Sequence, residues 1–186
     1  MKKIILIVSL ILSMCIIQLN AQESMFKKGD MVLNGTIGFG SVLFSGLGYS
    51  TTVPPIAASL EYGILDKVIE KGSIGIGGYV GYSSFKYAWY SGGTRYSNII
   101  IGARGALHYP FIAKLDTYTG LLLGFNVRTA SAYGTFTTGG DPNLGSGPAW
   151  SWFLGGRYYF NRNFAALAEI GYGIAWLNVG ISYRLN

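Results

Sequence analysis

The feature that most constrains how this chain folds is an alternation of period two that continues from residue 31 almost to its end. Between Met31 and Ser41, the positions Met31, Leu33, Ile37 and Phe39 are large and apolar, whereas most residues between them are small or polar. Successive side chains of a β-strand point to opposite faces, so this spacing predicts a strand with one apolar face.

Seven further segments alternate in the same way and are separated by stretches rich in turn-forming residues. They lie near residues 56 to 64, 73 to 84, 97 to 109, 114 to 127, 149 to 160, 163 to 172 and 176 to 185. Eight such strands fit a small closed barrel, whereas a sixteen-stranded porin needs roughly twice this chain length. The sequence therefore predicts an all-β fold, an eight-stranded antiparallel up-and-down transmembrane β-barrel formed by residues 30–186.

Composition decides which face of this barrel points outward. Half of the residues are apolar, 15% are aromatic and only 12% are charged, whereas an ordinary soluble domain is about 25% charged. A soluble ligand-binding barrel of the lipocalin kind would need its polar face outside, and this chain has few charges for such an exterior. We therefore expect the apolar face outside, with two aromatic bands typical of membrane barrels. The bands comprise Phe39, Tyr82, Phe125, Trp150 and Tyr172 at one end, and Tyr62, Tyr109, Tyr158, Phe160 and Tyr183 at the other.

The first 21 residues have a different character. Lys2 and Lys3 precede an uncharged apolar stretch from Ile4 to Ile17, and a short polar stretch then leads to Ala21. This apolar stretch is shorter than the ~20 residues that a membrane-spanning helix needs, which favours a secretory signal peptide over a membrane helix. We predict a signal peptide at residues 1–21 and a short N-terminal lead at residues 22–29.

The charged side chains that share the inner face of the predicted strands carry most of the chemistry. Leaving one member of a buried ion pair without its partner typically costs about 3 to 5 kcal/mol, so we expect these charges to pair in one plug inside the barrel. Arg104 is expected to face Glu61 or Asp116. The plug either fills a narrow interior or forms a gate, and we favour the first. Its predicted members are Glu61, Arg104, His108, Asp116, Arg157, Glu169 and Arg184.

Catalytic, metal and nucleic-acid sites have little support in the sequence. His108 is the only histidine, and a Ser/His/Asp set could be completed by Asp116 with Ser59 or Ser182, but nothing in the sequence places these residues together. The only cysteine lies in the predicted signal peptide, so few metal ligands remain. We expect no enzymatic activity, no cofactor and no metal site. No run of five or more Lys or Arg is present, so nucleic acid is not an expected partner.

The end of the last predicted strand carries the most specific motif, Asn178-x-Gly180-x-x-Tyr183-x-Leu185. It resembles the C-terminal β-signal of the small eight-stranded outer-membrane β-barrel proteins, the family of the OmpA/OmpX-like β-barrel domain, although this chain ends in Asn186 instead of an aromatic residue. The resemblance covers the chain from about residue 30. It implies a location in the outer membrane of a Gram-negative bacterium, contact with outer-membrane lipid and lipopolysaccharide, and recognition by the barrel assembly machinery.

The connections between strands are the expected site of any surface function. Residues 41–53, 85–96 and 128–147 are predicted to be extracellular connections, and residues 173–175 a tight hairpin. Lys86, Arg95 and Arg128 either meet lipopolysaccharide phosphates or are solvated. Two function classes remain open. The first is a structural or surface-interaction barrel with a plugged interior and an extracellular ligand that the sequence does not name. The second is a small-solute pore or a carrier of apolar ligands. The narrow barrel favours the first.

Overall fold

The computed structural model describes residues 24–41, 48–89, 92–134 and 145–186. Eight antiparallel strands close into a single barrel in chain order, and β1 completes the ring by pairing with β8. This confirms the predicted fold class, whereas the predicted signal peptide lies outside the described residues. The strands are β1 (Met31–Phe39), β2 (Tyr49–Val68), β3 (Gly72–Trp89), β4 (Gly92–Ile112), β5 (Leu115–Gly134), β6 (Gly147–Tyr159), β7 (Phe164–Tyr172) and β8 (Leu177–Arg184).

The two ends of the barrel differ in their connections. We call the short-turn end the one that contains residues 69–71, 113–114 and 160–163, together with residues 24–30 and the end of β8. The opposite end, at which β1, β3, β5 and β7 end and β2, β4, β6 and β8 begin, is called the long-connection end. At this second end the β7–β8 connection is only residues 173–176, which agrees with the hairpin expected around residues 173–175.

The strands β2 to β5 are longer than the sequence indicated. They have 18 to 21 residues each, whereas the other four have 8 to 13. Much of what was predicted as connections at residues 41–53, 85–96 and 128–147 is therefore strand. The composition there is that of a loop, but pairs such as Lys86 with Arg95 and Arg95 with Ser131 continue the ladder. Pairing among four neighbouring strands thus outweighs the local preference for turns.

The barrel wall separates two kinds of side chain, as the alternation predicted. Large apolar residues cover the outer face, where Ile101, Leu123 and Ile181 are 59%, 66% and 66% exposed. The charged residues Glu61 and Arg157 are buried on the opposite face, in the interior. The assignment of the apolar face to the outside is confirmed.

Aromatic side chains border the outer face at both ends. At the long-connection end, Tyr172 lies between Trp150 and Trp176, with ring centroids 5.6 and 5.5 Å away. At the short-turn end, Phe164 packs against Tyr183 at 4.7 Å. These contacts lie at the levels where the two aromatic bands were predicted.

Candidate functional site: the charged interior of the barrel

Four buried side chains near the short-turn end form a closed ring of ion pairs. His108 Nδ1 lies 2.8 Å from Asp116 Oδ1, and His108 Nε2 lies 2.7 Å from Glu61 Oε1. Arg157 donates to the second oxygen of each carboxylate, through Nη1 to Asp116 Oδ2 at 3.2 Å and through Nη2 to Glu61 Oε2. Each carboxylate therefore joins the same two cationic groups. The ring is formed by β2, β4, β5 and β6, so it cross-links half of the strands.

The geometry of His108 sets the charge of this ring. Both ring nitrogens face a carboxylate oxygen, and a neutral imidazole has only one N–H to donate. The imidazole satisfies both carboxylates only when it is doubly protonated and cationic. Two carboxylates, one guanidinium and one imidazolium then leave the ring without net charge, which is the arrangement that a buried site requires.

A second ion pair lies deeper in the barrel. Arg104 Nη2 donates to Glu169 Oε1 at 2.7 Å, and Tyr118 donates to the same oxygen at 2.8 Å. Tyr118 also lies beneath the Arg157 guanidinium, 4.5 Å from its Cζ, and so links the pair to the ring. The expectation that Arg104 faces Glu61 or Asp116 is wrong: Glu169 on β7 holds it, because inward side chains from distant strands meet across a narrow interior.

Arg184, which the sequence placed in the same plug, lies apart from these groups. Its guanidinium donates to the backbone oxygen of Met25, packs 4.6 Å from the ring of Tyr159 and lies 3.9 Å from Asp30. The reason is its position as the last residue of β8, at the rim of the barrel. It therefore holds the N-terminal lead, and His108 takes its place as the third cation of the interior.

The lead itself enters the barrel, which the sequence did not predict. Phe26 is fully buried and stacks on His108, with ring centroids 4.2 Å apart. Its backbone oxygen accepts a hydrogen bond from Ser73 at 2.7 Å. A Cβ on Gly75 would lie only 2.9 Å from the Phe26 ring, which is too close for an ordinary contact. The absence of a side chain at Gly75 therefore makes room for Phe26. One aromatic residue in a short polar stretch has no periodicity, and no local signal distinguishes it from a solvated loop residue.

Asn186 completes the closure of the short-turn end. Its side chain accepts a hydrogen bond from the Met31 backbone N–H at 2.8 Å and donates to the Gly29 oxygen at 2.7 Å. The residue that departs from an aromatic ending thus ties the end of β8 to the lead. Asparagine can do this because its amide both donates and accepts.

Towards the long-connection end the interior becomes apolar. A cluster of buried side chains includes Ile100, Leu122, Phe153 and Ile174, with the Arg104 guanidinium 4.1 Å from the Phe153 ring centroid. Beyond it, two buried amides meet, as Asn126 donates to Asn98 at 3.1 Å. Ile174 comes from the β7–β8 connection, which folds inward. Charged, apolar and amide layers therefore follow one another along the interior.

The serines considered for a catalytic set are not beside His108. Ser59 accepts a hydrogen bond from Asn34 at 3.0 Å, and Ser182 donates to Asn34 at 2.7 Å. Both His108 nitrogens face carboxylates instead. In the part of the chain that the structure describes, no group of three or more histidine, cysteine or carboxylate side chains is arranged to hold a metal ion.

The residues of the predicted β-signal lie on β8 and just after it. Tyr183 and Leu185 face outward and are 38% and 49% exposed. Gly180 faces inward opposite Thr36 of β1, and Asn178 lies opposite Gly38 of the same strand. The motif therefore forms part of the seam between the first and last strands. Among the described residues, no helix is long and apolar enough to cross a membrane.

Comparison with known proteins identifies similar folds. No family profile matches the sequence, and no curated protein matches it. The outer membrane protein OprG from Pseudomonas aeruginosa matches with a TM-score of 0.51 and 10% identity, over 88% of this chain and 100% of that chain. The N-terminal β-barrel domain of Pseudomonas aeruginosa OprF matches with a TM-score of 0.45, 12% identity and coverage of 85% and 98%. Ail, the attachment invasion locus protein of Yersinia pestis, matches with a TM-score of 0.46, 10% identity and coverage of 85% and 99%.

At this level of identity the likeness to OprG establishes the fold alone. It agrees with the closed ring of eight antiparallel strands and with the apolar outer face. The chain therefore has the fold of the small eight-stranded outer-membrane β-barrel proteins.

Proposed function

We propose that this protein is a barrel of the bacterial outer membrane that keeps its interior closed and acts through its exposed surface. The observation that supports the proposal is the succession of buried side chains in the interior. The ring around His108, the Arg104–Glu169 pair and the apolar cluster follow one another along the barrel. Because eight strands enclose a space just wide enough for side chains, these layers leave little room for a passing solute.

The outer face supports a membrane location. Leu123, Ile101 and Ile181 are among many large apolar residues that are more than half exposed, and water-soluble proteins rarely expose continuous apolar surfaces of this extent. Residues 1–21 are proposed to direct export as a signal peptide. The partners of this surface are then the outer-membrane lipid and lipopolysaccharide.

We further propose that the barrel assembly machinery reads the last strand during biogenesis. Tyr183 and Leu185 present apolar side chains on the outer face of the β1–β8 seam, where a folding factor could reach them before β8 pairs with β1. Exchanging Tyr183 for Ala should lower the amount of folded barrel in cells more than it lowers refolding in detergent. An equal loss in both would assign this residue to stability alone.

The interior also bears on the alternatives. A small-solute pore or a carrier of apolar ligands would need an open path or an empty apolar cavity inside the barrel, and the layers around Arg104 and Leu122 argue against both. We propose no catalytic role, since the His108 nitrogens are engaged by Glu61 and Asp116.

Conductance in a planar lipid bilayer tests the closed interior. The wild-type barrel should be nearly silent. Truncating both Leu122 and Phe153 to Ala should raise the conductance because both side chains fill the interior, whereas the adjacent outward change Leu121→Ala should leave it unchanged. Steady open conductance of the wild type would overturn the proposal and favour the pore. Recovery of the protein in a soluble periplasmic fraction would overturn its membrane location.

A further inference from the structure

Two basic residues lie side by side on the outer face near the long-connection end. Lys86 on β3 is directly opposite Arg95 on β4. On either side of them, Ser50 of β2 pairs with Lys86 and Ser131 of β5 pairs with Arg95. These four residues form one row across four strands, which we call the cation row. Arg95, Ser50 and Ser131 are exposed and Lys86 is half-buried, whereas Phe85 and Tyr96 on the opposite face are buried.

Within the part of the chain that the structure describes, the two cations of this row have no acidic counterpart. Like charges directly opposite each other on neighbouring strands destabilise a sheet. Among the described residues, neither Lys86 nor Arg95 makes an ion pair, and Lys86 instead lies 5.8 Å from the centre of the Tyr133 ring. The acids of the described chain between residues 49 and 134 all lie in the short-turn half of the barrel. An anion from outside the chain would remove this repulsion.

The position of the cation row along the barrel indicates where that anion comes from. Two rows nearer the barrel centre, Tyr82, Ile99 and Val127 form an exposed apolar row. Lys86 lies four positions beyond Tyr82 on β3. At the usual rise and tilt of barrel strands, this distance is about 10 Å along the membrane normal. The polar region on each side of the hydrocarbon core is about 5 to 8 Å thick, so the cations lie at or just beyond its level.

Hydroxyl groups occupy the row between these two levels. Ser84, Ser97 and Thr129 are paired across β3, β4 and β5, and of these Thr129 is exposed, Ser97 is half-buried and Ser84 is buried. The Ser97 hydroxyl lies 3.4 Å from both Tyr82 Oη and Ser84 Oγ. The outer face thus changes from apolar to hydroxyl to cationic within four residues. This order follows that of a lipid from its acyl chains through its ester region to its phosphate.

The feature is confined to one side of the barrel. The strands β1, β6, β7 and β8 end near the aromatic band, and their described outer faces carry no Lys or Arg at the long-connection end. Only β2 to β5 continue far enough to present a second polar level. The strand extension and the cation pair therefore occur together.

We propose that Ser50, Lys86, Arg95 and Ser131 form a binding site for the phosphate group of a lipid headgroup at the membrane surface. Arg95 supplies a planar fork of N–H donors that matches phosphate oxygens, Lys86 adds a point charge, and the serine hydroxyls flank the two cations in the same row. The inference rests on the proposed membrane location, because that location supplies the lipid.

The test uses the refolded barrel in dodecyl maltoside, a detergent without phosphate, titrated with short-chain dihexanoyl phosphatidic acid. Binding is followed by the NMR shifts of the Arg95 side chain and of the backbone amides around it. Replacing both Lys86 and Arg95 by Gln should weaken binding at least about tenfold, since two charge-assisted interactions are lost. The matched control, Lys114→Gln with Arg162→Gln, removes the same charge at the short-turn end and should leave the binding constant unchanged.

Each other outcome has a distinct meaning. Inorganic phosphate that binds as tightly as the lipid would overturn the assignment to a lipid and indicate a free-phosphate site. If the control pair weakens lipid binding equally, the effect comes from the overall charge of the barrel, and the proposed site would be overturned. A wild-type barrel that folds but shows no shift would overturn the inference while leaving the proposed function intact. A chain that does not refold as a heat-modifiable barrel would instead contradict the proposed function. If the double variant does not fold, Arg95→Gln alone serves in its place.

Discussion

The inner and outer faces of the barrel wall come from the same strands but are organised differently. Inside, Glu61, Asp116, His108 and Arg157 are fitted to one another, and each carboxylate lies within hydrogen-bonding distance of both cationic groups. Outside, residues such as Leu123 and Ile181 are exposed. The inner face depends on particular partners, and the outer face depends only on being apolar.

This difference indicates where the barrel wall tolerates substitution. A buried charge loses its partner when one residue of the ring is replaced, so its cost depends on the others. In the proposed membrane location an outward apolar residue contacts lipid, so another apolar residue of similar size should replace it with little loss. The following substitutions test this difference between the two faces.

Removing the Arg157 guanidinium from the ring should have the largest effect on stability. Arg157→Met leaves both Glu61 and Asp116 without a guanidinium, and the free energy of unfolding should fall by about 3 to 5 kcal/mol. Adding Glu61→Gln should recover part of the loss because it removes one of the stranded charges. Urea titration of the barrel in lipid vesicles measures both. Strictly additive losses would mean that these residues do not interact.

The same design checks the second ion pair. Arg104→Met should couple to Glu169→Gln and only weakly to Asp116→Asn, because Arg104 contacts Glu169. Stronger coupling to Asp116 would restore the pairing expected from sequence.

A charge on the outer face should come next. Leu123→Arg is expected to cost about 2 to 4 kcal/mol, since the side chain lies at mid-depth of the proposed membrane span. The control is Val127→Arg on the same strand and face, near the aromatic band, which should cost about 0 to 1 kcal/mol. Equal tolerance of both in vesicle unfolding would contradict an outer face in contact with lipid.

Adding one methyl group distinguishes the two faces more finely. Gly102 faces inward, and a Cβ there would lie 2.6 Å from the Leu123 backbone oxygen, so Gly102→Ala should cost about 1 to 3 kcal/mol. Gly78 on the neighbouring strand faces outward and has no atom within 4 Å of that position. Gly78→Ala should leave the free energy of unfolding unchanged or raise it by about 0.5 kcal/mol. Similar losses at both glycines would erase the proposed difference in crowding.

The smallest expected effect concerns the lead. Phe26→Leu keeps an apolar side chain in place but removes the stack on His108, and should cost about 1 kcal/mol. Thermal unfolding followed by gel mobility measures the change in melting temperature. The lead residue Lys28 is exposed, so Lys28→Gln serves as the control and should have no effect. An unchanged melting point for Phe26→Leu would mean that the ring needs no aromatic cover.

The number of strands and the identity of each face were determined by the sequence itself. Both follow from the alternation of side chains along an extended chain, which is a local property that needs no knowledge of neighbouring strands. For the same reason Glu61, His108 and Arg157 could be assigned to the interior before their partners were known.

Which interior residues contact one another depends on the tertiary structure. Arg157 and Glu61 are 96 positions apart, and their contact depends on how the strands are staggered when the sheet closes, which no single segment encodes. The exclusion of Arg184, the entry of Phe26 and the continuation of β2 to β5 also depend on the tertiary structure. The first two depend on contacts between segments distant in sequence, and the third depends on pairing between neighbouring strands that the composition of each segment alone does not indicate.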